Sequence, residues 1–68
     1  MLMHLLVNGE RREVRSGLTI KELLDQDGEP ASHVLVEVNG EYLPARQCGD
    51  RVLVDGDRVE IIHPAYGG

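Results

Sequence analysis

In Thr19-Ile20-Lys21-Glu22-Leu23-Leu24-Asp25, a hydroxyl stands three residues ahead of a carboxylate at the head of an apolar run. This spacing is a capping box, in which each side chain satisfies a backbone donor that a helix start would otherwise leave unpaired. Ile20, Leu23 and Leu24 follow at i, i+3 and i+4, so they fall on one face. Asp27-Gly28 and Glu29-Pro30 stop the element. The reading is a short helix with a single apolar stripe. Such a stripe needs a second layer to cover it, and the flanking segments supply strands.

Upstream, Leu2 to Val7 is an apolar run that ends at Asn8-Gly9. Both residues tolerate the positive φ that a two-residue hairpin turn requires. The return arm is Arg11 to Arg15, where Val14 offers the one strong apolar contact, so this arm is expected at a sheet edge. A helix over residues 2–15 would carry Asn-Gly in its middle and is disfavoured. Ser16-Gly17 breaks the chain before the helix.

Downstream, Val34 to Val38 is β-branched and reads as a central strand. A second Asn-Gly, Asn39-Gly40, turns it tightly into Glu41-Tyr42-Leu43, and Pro44 ends that arm. Asn-Gly-Glu thus occurs at 8–10 and at 39–41. The flanking residues do not match, so this is reuse of turn chemistry and not an internal repeat. Arg46 to Leu53 reads as irregular or as a turn of helix. Asp55-Gly56-Asp57 is a turn, and Arg58 to His63 alternates around Val59 and Ile61 as a last strand closed by Pro64. The expected fold class is α+β: a mixed sheet of four to five strands with one helix packed across one face. Residues 1–64 form the domain, and residues 65–68 a flexible tail ending in Gly-Gly.

A chain of 68 residues buries only about 60% of the surface its unfolded form exposes, which leaves little room for an enclosed pocket. With no Trp, no Phe and two Tyr, the core must be aliphatic. Twelve acidic against seven basic residues give a net charge of -5, and the basic residues are scattered apart from Arg11-Arg12. Neither nucleic acid nor an anionic membrane suits that surface, whereas a basic protein partner does. The apolar runs are too short for a membrane span, and no signal peptide is expected. Cys48 is the only cysteine, which precludes an internal disulfide and fits a reducing cytoplasm.

No set of side chains suggests catalysis. His4, His33 and His63 lack metal-ligand spacing and read as rim histidines. Cys48 has no Cys-x-x-Cys partner, and a nucleophilic role for it is the minor reading. Ser16 and Ser32 have no base identifiable by sequence, and the glycines are dispersed through separate turns. Glu10, Glu13, Asp25, Asp27, Glu29 and Glu41 read as solvated, while Asp55 and Asp57 bracket a turn glycine. No metal is expected. The C-terminus differs. Gly67-Gly68 has no Cβ to block passage through a narrow channel, and it presents the main-chain carboxylate of Gly68 at the tip of an arm.

The chain resembles the ThiS/MoaD family of β-grasp sulfur carriers, and within it the ThiS branch most. The resemblance rests on the opening strand into Leu6-Val7-Asn8-Gly9, on Leu18 to Leu24, and on Val36 to Glu41 with Pro44 and Arg46. It extends through Val54-Asp55-Gly56-Asp57-Arg58-Val59-Glu60-Ile61 to the terminal Gly67-Gly68. It implies a ubiquitin-like β-grasp fold whose first and last strands pair in parallel at the sheet centre. It also implies a cosubstrate protein and not an enzyme. A ThiF/MoeB-like partner would adenylate Gly68 with Mg-ATP, so this chain would bind no cofactor itself. A cysteine desulfurase system would supply sulfur indirectly, converting the carboxylate to a thiocarboxylate. A thiazole synthase (ThiG-like) in thiamine biosynthesis would be the acceptor. Gly67, Tyr66 and Ala65 would enter the partner's channel, and Tyr66 departs from the small aliphatic residues common in family tails. Other sulfur pathways (molybdopterin, cysteine or homocysteine, tRNA thiolation), a ubiquitin-like modifier and a non-covalent binding module are the alternative readings.

Overall fold

Antiparallel pairing joins β1 (Leu2–Val7) to β2 (Glu10–Arg15) in the computed structural model of the protein, which describes residues 1–64. Asn8 and Gly9 turn the hairpin at φ +51° and +81°, as the Asn-Gly pair requires. The helix α1 (Ile20–Gln26) carries both halves of the capping box. Glu22 N–H donates to Thr19 Oγ1 at 3.1 Å, and Thr19 N–H donates to Glu22 Oε1 at 3.0 Å. At the other end Gly28, at φ +70°, donates its N–H to Asp25 O, and Glu29 N–H donates to Leu24 O at 2.9 Å. These two bonds form a Schellman stop, which a residue tolerant of positive φ makes possible.

A 3-10 turn at Ala31–His33 leads to β3 (Leu35–Val38), and Asn39-Gly40 leads on to β4 (Glu41–Leu43). After a second 3-10 turn at Ala45–Gln47 the chain passes to β5 (Arg58–Ile62). The sheet order is β2-β1-β5-β3-β4. β1 and β5 run parallel, with Leu6 opposite Arg58 and Val7 opposite Val59. The other pairings are antiparallel. The expected α+β class, the edge position of β2 and the parallel first and last strands are all present, with five strands.

Alternation along each strand points one set of side chains at α1. Met3, Leu5 and Val7 of β1, Val59 and Ile61 of β5, and Val36 and Val38 of β3 are buried on that face. They meet Ile20, Leu23 and Leu24 in one core cluster. Burying an aliphatic side chain of this size contributes about 1.5–3 kcal/mol, so the stripe carries much of the stability of so small a domain. The segment expected to be irregular runs along the start of α1. Leu53 N–H donates to Leu18 O, Ile20 N–H to Arg51 O and Lys21 N–H to Cys48 O, so it closes the open backbone groups there.

Two carboxylates have partners that sequence spacing did not reveal. The Asp55-Gly56-Asp57 turn forms, with Gly56 at φ +88°, but Asp57 is only 5% exposed. Its carboxylate accepts from Asn39 Nδ2 and from Val54 N–H, each at 2.9 Å, which compensates its burial. Asp27, grouped among the solvated carboxylates, is exposed and is also clamped by Arg12, whose two terminal nitrogens donate to its oxygens at 2.7 and 3.0 Å.

Candidate functional site

Ala65, Tyr66, Gly67 and Gly68, the residues singled out for the chemistry, lie outside the described residues, and so does the expected tail they form. The described part of the chain holds the root from which they follow. That root is the end of β5, the central strand, and it is pinned from both sides.

Asn8 and Asn39 do the pinning. Asn8 N–H donates to Val59 O at 2.8 Å, and Asn8 Oδ1 accepts Ile61 N–H at 2.7 Å. On the other side Asn39 N–H donates to Arg58 O at 2.7 Å, and its Oδ1 accepts Arg58 N–H at 2.9 Å. Both residues sit at positive φ, +51° and +54°. Sequence reasoning recognised them as turn formers and missed that each also clamps β5. The recurring Asn-Gly-Glu was the available signal.

Beyond Ile61, Ile62 faces Leu35 across the strand pair, and both are about two-fifths exposed on the face away from α1. His63 then meets Glu29, with Nε2 and Oε2 2.6 Å apart. Glu29 was read as solvated; it is half-buried and borders a groove of about 210 Å³ beside the root. Val7 and Ile61 contribute apolar walls there, while Arg12, Asp27 and His63 line the polar side. The hydrogen bond to Asp27 holds the Arg12 guanidinium above its ordinary pKa, which favours its charged form.

The remaining candidates stand apart from this root. His4 pairs with Glu13 at 3.2 Å, and His33 lies exposed in the first 3-10 turn. Among the described residues, no three His, Cys, Asp or Glu side chains converge in a metal-binding arrangement. Cys48 is 1% exposed, its Sγ lies 3.7 Å from Pro44 O, and burial pushes the thiol pKa up. Such a thiol packs in the core, where a nucleophilic thiolate is disfavoured. The described part of the chain therefore presents a root, two clamps and a groove.

A family model described as the ThiS family matches residues 5–68. The chain belongs to the ThiS family. It is a sulfur carrier and not an enzyme. The sulfur carrier protein ThiS of Thermus thermophilus is 39% identical over 62 residues, covering 91% of this chain and 95% of that one. The sulfur carrier protein ThiS of Escherichia coli is 26% identical over 66 residues and is covered in full. A thiazole synthase of Paramagnetospirillum magneticum is 35% identical over 66 residues; the match takes in 97% of this chain but only 20% of that protein. Among solved structures, the thiamine biosynthesis protein ThiS of Geobacter metallireducens superposes with a TM-score of 0.84 at 36% identity. The superposition covers 97% of this chain and 100% of that one, so the ThiS chains share one β-grasp fold. No helix among the described residues is long and apolar enough to cross a membrane.

Proposed function

We propose that this ThiS-family chain delivers sulfur for thiazole formation in thiamine biosynthesis, with the main-chain carboxylate of Gly68 as its working group. The observation that carries this reading is the family match, which runs through Gly67-Gly68 to residue 68. The relative named thiazole synthase supports the choice of acceptor, because a segment similar to this chain and a thiazole synthase share one polypeptide there. A carboxylate is a poor electrophile until its oxygen becomes a leaving group. A ThiF/MoeB-like partner therefore transfers AMP from Mg-ATP to Gly68 with release of pyrophosphate. The outer sulfur of a persulfide from a cysteine desulfurase system displaces the AMP, and a thiol reductant cleaves the resulting acyl disulfide. The thiocarboxylate so formed is the nucleophile handed to a ThiG-like synthase. Mg-ATP belongs to the partner, and Gly67, Tyr66 and Ala65 occupy its channel. The compartment is the cytoplasm.

The test is fragment-level mass spectrometry of the Cys48→Ala chain, expressed with its adenylating and sulfur-supplying enzymes. Replacement of one oxygen by sulfur, confined to the fragment ending at Gly68, is the expected result. Fragmentation separates it from oxidation of Met1 or Met3, which adds nearly the same mass. An unmodified C-terminal fragment beside demonstrably active enzymes would overturn the reading.

A further inference from the structure

The last backbone pairing of β5 is at Ile62, opposite Leu35. Among the described residues beyond it, Pro64 has no N–H to donate. The hold on the chain at this point is a side chain: His63 Nε2 lies 2.6 Å from Glu29 Oε2. The anchor at the other end of that contact is itself fixed. Glu29 follows the Schellman stop of α1, its N–H bonded to Leu24 O at 2.9 Å. Two residues earlier, Asp27 is gripped by the Arg12 fork from β2. The short segment Asp27 to Glu29 thus bridges the edge strand and the end of the central strand. Its charged ends are both engaged, one by Arg12 and one by His63.

We infer that His63 is a positioning residue: its contact with Glu29 fixes the direction in which the chain leaves β5 and so presents Gly68 to the adenylating enzyme. This rests on the carrier reading above. The contact lies outside the core, with the His63 side chain 61% exposed, so its worth to stability is small. Its worth to binding is larger, because a root ordered in advance spares the complex the entropy of ordering it. The groove beside the root adds directionality. Val7 and Ile61 wall it on the core side, and the contact bridges its polar side. These groups lie beside the root from which the chain continues toward Gly68.

The experiment compares the full-length chain with its His63→Ala, His63→Gln and Glu29→Ala variants as substrates of the native adenylating enzyme, following carrier-dependent ATP–pyrophosphate exchange. Freeing about one residue at the root corresponds to roughly a tenfold change in an equilibrium constant. His63→Ala and Glu29→Ala should therefore raise the KM for the carrier about tenfold and leave kcat within about twofold. His63→Gln keeps an N–H donor at similar reach and should recover most of the loss. A purely structural role would not separate KM from kcat in this way, nor respond to the conservative variant. Independently of the enzyme, the backbone order parameter of His63 should fall from the rigid range near about 0.85 toward about 0.6 in Glu29→Ala. A wild-type chain that is not adenylated at all would overturn the carrier reading, and the positioning role with it. A wild-type chain that is adenylated, with unchanged KM in His63→Ala or an unchanged His63 order parameter in Glu29→Ala, would overturn the positioning role alone.

Discussion

Asn8 Oδ1, in the first hairpin turn, accepts the N–H of Ile61 in the last strand at 2.7 Å, across 53 residues of sequence. One residue therefore does two jobs. Its positive φ closes the β1–β2 turn, and its side chain supports β5 just before the root of the C-terminal segment. Replacing Asn8 by Gly keeps the turn and loses the clamp, whereas Asn8→Ala loses the clamp and strains the turn as well. Leaving a part-buried N–H unpaired costs about 1–3 kcal/mol, and Ala in the left-handed region adds about 1–2 kcal/mol. In urea denaturation Asn8→Ala should show the lower midpoint of the two, with an unchanged m-value. Equal midpoints would mean that the turn conformation is not under strain.

Asp57 is the second long-range lock. It joins Asn39 of the second hairpin turn to Val54 N–H through one buried carboxylate. Asp57→Ala strands both donors, and we expect a loss of about 2–4 kcal/mol in chemical denaturation. Asn39→Ala removes one donor and also the acceptor of Arg58 N–H, so its effect should be sub-additive with Asp57→Ala. Strict additivity in a double-mutant cycle would contradict a shared network.

The Glu22 carboxyl is held below its ordinary pKa, chiefly by the Thr19 backbone N–H and then by the Thr19 hydroxyl. The folded state thus takes up this proton less readily than the unfolded chain. The stabilisation it gives is full above the ordinary carboxylate value and is lost as pH falls through the lowered one. Unfolding midpoints measured between pH 6 and about pH 3 should fall more steeply for the wild type than for Glu22→Gln. Parallel curves would show that the capping box does not depend on the ionised side chain.

Cys48 sits in the core with a thiol whose ionisation burial disfavours. The native chain should react with a thiol reagent far more slowly than the chain unfolded in denaturant. Cys48→Ala should cost roughly 1–2 kcal/mol through the small cavity it opens, while sulfur loading at Gly68 stays within about twofold of wild type. Sulfur loading that disappears with the thiol would assign Cys48 a chemical role.

Much of this molecule was legible along the chain because it depends on contacts a few residues apart. The Thr19–Glu22 box, the stop at Gly28, the Asn-Gly turns and the alternation along the strands depend on backbone preference and side-chain period, which neighbours in sequence decide. Gly67-Gly68 was singled out by residue type and position alone, and lies outside the described residues. Other features became visible only in three dimensions. The parallel register of Leu6 with Arg58, the burial of Asp57, the grip of Arg12 on Asp27 and the contact of His63 with Glu29 join residues from separate elements. A carboxylate in a turn reads as solvated unless the packing around it is known. What surrounds it is chosen by the order β2-β1-β5-β3-β4, which brings both hairpin turns and the end of α1 against the last strand. Sequence determined the elements; the sheet order decided which side chains hold the last strand, because hydrogen bonds and ion pairs act over a few ångströms regardless of how far apart their partners lie along the chain.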